Sequence, residues 1–168
     1  MASMCGDSLR VSIFGQSHSP AIGCSIDGLP ASIPIDLDRL QAFLNRRAPG
    51  SSDTSTTRRE ADAVEFIAGI TEGHTNGAPI AAIIRNRDMR SSDYSELRRV
   101  PRPGHADWTA AIKYGEHRDV AGGGHFSGRL TAPLCIAGGI ALQALEARGI
   151  KIAAHIAQLG PGPITDEP

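Results

Sequence analysis

The chain has 168 residues, 40% of them hydrophobic and 21% charged, and a formal net charge of −1. That composition can bury a sizeable core and is not that of a disordered chain. The charge balance argues against a bulk nucleic-acid binder. The three cysteines, Cys5, Cys24 and Cys135, have no C-x-x-C spacing, which argues against a disulfide framework or a zinc site and suits a reducing cytoplasm. The N-terminus shows no apolar leader, and no apolar stretch reads as long enough to span a bilayer.

Leu9–Phe14 alternates polar and apolar residues and predicts a strand running into a Gly15–Pro20 turn. Ala21–Ile26 predicts a second strand, closed by Asp27-Gly28. Asp36 can cap a helix that carries Leu37, Leu40, Phe43 and Leu44 on one face, with Arg46 and Arg47 in its last turn and a stop at Pro49-Gly50. Residues 51–57 read as a polar loop. Val64–Ile70 and Pro79–Arg85 predict strands joined by a Gly73–Gly77 turn, and residues 86–103 a long, arginine-rich loop. Ala106–Tyr114 predicts a short helix, Gly115–Gly124 a loop, and Thr131–Arg148 a long helix, apolar nearly all round and therefore buried, with Gly149 at its C′ position. Ile150–Ile156 predicts a last strand, and the Gly160–Pro163 tail continues neither element. Hairpin-like strand neighbours separated by helices predict an α+β fold with antiparallel sheet.

The sequence lacks H-E-x-x-H, G-x-x-x-x-G-K-S/T, G-x-G-x-x-G and G-x-S-x-G, so zinc hydrolase, P-loop, Rossmann and α/β-hydrolase readings lose ground. Three glycine-punctuated turns remain, each with a histidine. His18 lies in Gly15-Gln16-Ser17-His18-Ser19-Pro20, where it is either a surface turn residue or a group free to titrate near neutrality. His105 lies in Arg102-Pro103-Gly104-His105-Ala106-Asp107, before a helix start, as a cap or beside a bound anion. Gly122–Arg129 follows, in which Gly123 and Gly124 allow close backbone approach and Ser127 can cap the next helix. Arg129 falls in that helix's first turn, where a cation opposes the dipole unless an anion lies beside it. Paired arginines at 46–47, 58–59 and 98–99 are solvated surface charge or grips for a small anion. Together these features describe a cleft for a phosphorylated, multi-anionic small molecule.

Six segments in order, 15–19, 46–50, 57–60, 90–94, 102–107 and 122–131, resemble the signature segments of the chorismate synthases. The resemblance implies a β-α-β sandwich with helices between antiparallel sheets, usually a cytoplasmic homotetramer, of which 1–168 is the N-terminal part and the C-terminal half is absent. It implies a lyase that converts 5-enolpyruvylshikimate 3-phosphate to chorismate and phosphate by 1,4-anti elimination. Reduced FMN is the cofactor, with NADPH as a source of its electrons, and neither nucleic acid nor membrane is a partner. By the same resemblance His18 assists the departing phosphate and His105 protonates or hydrogen-bonds the flavin. Arg46 and Arg47 contact substrate anion or nicotinamide phosphate, and His125, Phe126, Ser127 and Arg129 lie where the family contacts FMN. The chain departs from the family pattern at Gln16, Ser19, Ala48, Asp53, Gly128 and Leu130. Its length implies weak FMN binding by these residues alone, and the competing reading is a flavin- or anion-binding module without catalysis. Flavin reduction with NADPH is a third reading, for which no dinucleotide fingerprint speaks.

Overall fold

The computed structural model describes residues 3–48, 61–87, 96–97 and 99–163. The expected Pro49-Gly50 helix stop, the 51–57 loop, Asp53, Arg58-Arg59 and the 90–94 segment lie outside the described residues, as does half of the 86–103 loop.

The centre is a five-stranded antiparallel sheet in the order β1-β2-β3-β7-β4. Its strands are β1 (Met4–Cys5), β2 (Arg10–Gly15), β3 (Ala21–Asp27), β4 (Val64–Ala68) and β7 (Ile80–Arg85). The remaining β5 (Ile70–Thr71) and β6 (His74–Thr75) form a small hairpin that breaks the expected 64–70 strand at Gly69. There φ is +89° and a Cβ would strike the Ile80 backbone at 2.4 Å. The two central strands form as expected, and their alternate residues, Ile22, Cys24 and Ile26 of β3 and Ile80, Ala82 and Ile84 of β7, bury one face. On the other face the Phe14 ring covers Gly23, its cross-strand partner.

Two helices cover the buried face. In α1 (Leu37–Asn45), Asp36 is the N-cap and its carboxylate accepts from Arg39 N–H at 2.9 Å. Leu40 and Leu44 point into the core. Arg46 is the C-cap, and Arg47 lies one residue further on. In α3 (Thr131–Glu146), Ile136 and Ile140 meet the same core. Gly139 lets α1 come close, since a Cβ there would lie 2.5 Å from Leu40 Cδ1. Gln143 locks the two helices by accepting from Asp36 N–H at 2.8 Å and donating to Asp36 O at 3.1 Å.

The helix expected to be buried all round is buried on one side only. Leu134 is 50% exposed, and Ala141 and Leu145 are partly exposed. Contrary to the sequence reading, the 19-residue run Gly128–Glu146 is long and apolar enough to cross a membrane by length and composition, but its inner face packs on β3 and α1 as a core helix does.

Two expectations fail. Ile150–Ile156 forms no strand. Its isoleucines at 150, 152 and 156 sit about half exposed or more and pair with no strand among the described residues, and a strand without a partner leaves its backbone groups to water. The tail forms a minimal hairpin instead, β8 (Gln158–Leu159) against β9 (Gly162–Pro163), turned at Gly160 with φ +65°. The segment read as a Gly115–Gly124 loop contains 3-10 turns at Gly115–His117 and Ala121–Phe126. The helix α2 spans Asp107–Tyr114, close to its expected bounds. Among the described residues the architecture is α+β: a five-stranded antiparallel sheet with α1 and α3 layered on one face, and two small hairpins beside it.

Candidate active site

The three histidine turns converge. The β2–β3 turn is clasped internally by the Ser19 hydroxyl, which accepts from Gln16 N–H and donates toward Ala21 O. Ser17 N–H donates to Gly124 O at 3.1 Å, joining this turn to the triglycine turn more than a hundred residues later. Gly122, Gly123 and Gly124 all have positive φ (61°, 97° and 55°), which L side chains rarely adopt. The glycines also make room. A Cβ at Gly122 would lie 2.4 Å from His18 Cε1 and 2.6 Å from Ser17 Oγ, and one at Gly123 would lie 2.8 Å from His105 Cε1 and Nε2. Adjacent backbone units therefore lie against the two imidazoles. Each ring is partly exposed, so each keeps a solvent-facing side.

His105 is held from behind by its own motif. Asp107 is buried at the start of α2, and its Oδ1 lies 2.7 Å from His105 Nδ1. Arg102 grips the same carboxylate in a fork, Nε to Oδ2 at 2.8 Å and Nη2 to Oδ1 at 3.0 Å. The Arg102 guanidinium holds the Asp107 carboxyl well below the usual carboxylate range. An ionised Asp107 accepting from Nδ1–H fixes the tautomer and leaves Nε2 unprotonated on the side of Gly123, with Arg102 Nη2 3.4 Å away. His105 is not a helix cap: the N-cap is Ala106, with no side-chain bond.

His125 is engaged on both nitrogens. Nδ1 donates to Gly15 O at 3.0 Å, and Nε2 accepts from the Ser3 hydroxyl at 2.6 Å. The Phe126 ring packs obliquely on Tyr114, with centroids 6.1 Å apart. Ser127 caps the 3-10 turn Gly128–Leu130 by accepting from Arg129 N–H at 3.2 Å.

The anion that Arg129 calls for is supplied by the protein. Its Nη1 pairs with the buried Asp62 carboxylate, and its Nε donates to Asn86 Oδ1 at 3.2 Å. Arg47 Nη2 meets the other Asp62 oxygen at 3.0 Å, and Arg47 Nη1 donates to Thr131 Oγ1 at 3.1 Å. Two guanidiniums on one carboxylate leave a net single positive charge in this cluster. Arg46 instead lies over Phe43, its guanidinium 5.7 Å from the ring centroid.

The sequence offered His18 and His105 but not Arg102 and Asp107 as the frame of His105, though both stand in its motif. Asp62 and Asn86 carried no signal, because neither belongs to a recognisable pattern. Among the described residues no cluster of His, Cys, Asp and Glu is placed to hold a metal ion.

The profile of the family described as chorismate synthase matches residues 9–167. The chain belongs to the chorismate synthase family. It is 52% identical over 160 residues to the chorismate synthase of Lancefieldella parvula, covering 95% of this chain and 42% of that protein. Identity to the Korarchaeum cryptofilum enzyme is 45%, over 92% of this chain and 43% of that one. Identity to the Bordetella petrii enzyme is 51%, over 90% and 43%. A crystal structure of chorismate synthase superposes with a TM-score of 0.66 at 25% identity, over 94% of this chain and 40% of that one. The chain thus spans less than half the length of these relatives.

Proposed function

We propose that these residues form the N-terminal part of a chorismate synthase site and carry out elimination of phosphate from 5-enolpyruvylshikimate 3-phosphate with reduced FMN. The observation that carries this reading is the convergence of His18 and His105 on one triglycine turn, with a net-positive Arg47–Asp62–Arg129 cluster in the same half of the fold. The donor set suits an anionic cofactor: two imidazoles packed directly on glycine main chain, where a Cβ would clash with either ring, and a net-positive Arg47–Asp62–Arg129 cluster. Reduced FMN, when bound, supplies the electron-rich ring on which the family's redox-neutral elimination depends.

The chain's own groups do the rest. His18 hydrogen-bonds or protonates the leaving phosphate, where negative charge develops. His105 presents Nε2 to the flavin, its ring orientation set by Asp107 and Arg102. Arg47 draws the substrate anion, with Arg46 at the entrance. Phe126 and Ser127 offer an apolar face and a hydroxyl to the flavin. His125 and Arg129 serve that site from within, one tying the triglycine segment to Gly15 and the other charging the helix start. The exposed face of α3 accepts the second sheet of the sandwich from the C-terminal half. Homotetrameric assembly, cytoplasmic location and NADPH as electron source belong to the same proposal.

The test is anaerobic turnover of 5-enolpyruvylshikimate 3-phosphate with dithionite-reduced FMN, following chorismate by absorbance. Product from the wild-type chain and a loss of about 10²-fold or more in His105→Ala are expected, in line with removal of a general acid–base group. No chorismate from folded wild type would overturn the assignment of catalysis to this chain.

A further inference from the structure

We propose that Asn86 is a positioning residue for His18, clamping the turn that carries it to the buried Arg129–Asp62 pair. Asn86 follows directly on β7 and is 6% exposed. Its two amide protons go to the carbonyls that bracket His18: Nδ2 donates to Gln16 O at 3.1 Å and to Ser19 O at 2.7 Å. Its main-chain N–H donates to Pro20 O at 3.1 Å. Its Oδ1 accepts from Arg129 Nε at 3.2 Å, while the Nη1 of that guanidinium is anchored on Asp62.

A carboxamide suits this place because it offers two donors on one side and an acceptor on the other. An aspartate could still accept from Arg129 but would set its lone pairs against two carbonyls. A lysine or arginine could donate to the carbonyls but not accept. The β2–β3 turn is therefore not placed by its own hydrogen bonds alone. It is registered against β7 and against the 3-10 turn that precedes α3, so His18 meets Gly122 at contact distance and not merely somewhere on the surface. The inference rests on the reading of His18 as a working group of the site, but its test needs neither flavin nor substrate. Failure of chorismate formation and failure of the clamp are separate results.

The experiment is NMR of the 168-residue chain with labelled histidine and asparagine. In wild type, a His18 Hε1 to Gly122 Hα contact is expected. The two Asn86 amide protons should be resolved and exchange with water at least about tenfold more slowly than those of exposed Asn45. Fast, averaged Asn86 protons would overturn the proposal without any variant. In Asn86→Asp the His18–Gly122 contact should weaken severalfold and the His18 Hε1 resonance should move. His105 should keep its contact with Gly123, because Arg102 and Asp107 frame it independently. A generally loosened fold would disturb both imidazoles, and that result, like an unchanged His18 in a folded variant, would overturn the proposal. If the variant does not fold, the wild-type exchange measurement decides.

Discussion

Replacing Gly122 by alanine tests the convergence of the turns most directly. The residue has φ +61° and ψ +9°, and placing alanine in left-handed backbone costs about 1–2 kcal/mol. The new methyl would start 2.4 Å from His18 Cε1, 2.5 Å from Nδ1 and 2.6 Å from Ser17 Oγ. Carbon contacts settle near ~3.5–4 Å, so the His18 ring must retreat by about 1 Å. The ring is partly exposed and can do so, so the steric part of the cost falls mainly on its position and not on stability. The net loss of stability is then about 1–2 kcal/mol, or roughly 2–8 °C in Tm for a chain of this size. A group displaced by about 1 Å loses on the order of 10²-fold in rate. Thermal unfolding reads the first quantity, and turnover with reduced FMN together with the His18 Hε1 resonance reads the second. Gly128→Ala is the control, having no positive φ and no atom within 4 Å of a built Cβ, and should change little. A Gly122→Ala protein with wild-type turnover and an unmoved His18 signal would refute the claim that this turn seats the imidazole.

The Asp107 carboxyl is held low by Arg102, so its folded pKa lies below the unfolded value of about 3.9. Its contribution to stability is complete above that value and is lost as pH falls below it. Arg102→Ala should therefore flatten the fall in Tm between about pH 4 and pH 2, and a slope equal to wild type would remove Arg102 as the cause. Burial pushes the Cys24 thiol up to about 12, whereas Cys5 is exposed. A thiol reagent at pH 8 should accordingly label Cys5 in the native protein and Cys24 only on unfolding, and early labelling of Cys24 would contradict its place in the core. Paired substitutions on α3 should have opposite signs. Gly138→Ala meets nothing within 4 Å and should stabilise by about 0.5–1 kcal/mol, while Gly139→Ala drives a methyl to 2.5 Å from Leu40 Cδ1 and should destabilise by about 1–3 kcal/mol, both measured by denaturant unfolding.

Local rules were enough for much of the fold. Alternation in β2, β3 and β7 reports which side chains face the core, because a strand's period is fixed by the backbone. Asp36 caps α1 by accepting from the Arg39 N–H three residues on, a purely local bond. The same logic fails at Ile150–Ile156, which pairs with no strand among the described residues. It falls short on α3, where composition alone cannot say which side is covered.

The candidate site divides the same way. The glycine turns and their histidines are visible in the chain, since positive φ and exposed imidazoles are properties of short segments. Arg102 and Asp107 act on His105 within a few residues and were within reach of the motif. That a missing side chain at Gly122 seats His18, that the anion beside Arg129 is Asp62, and that Asn86 bridges them required the tertiary structure. These pairs lie 43 to 104 residues apart, a span that reflects 67 positions between Asp62 and Arg129 and 43 between Asn86 and Arg129. No local propensity encodes which distant charge a buried guanidinium will meet. The choice is made when the core closes and each buried polar group must find a partner or bear the cost of leaving water.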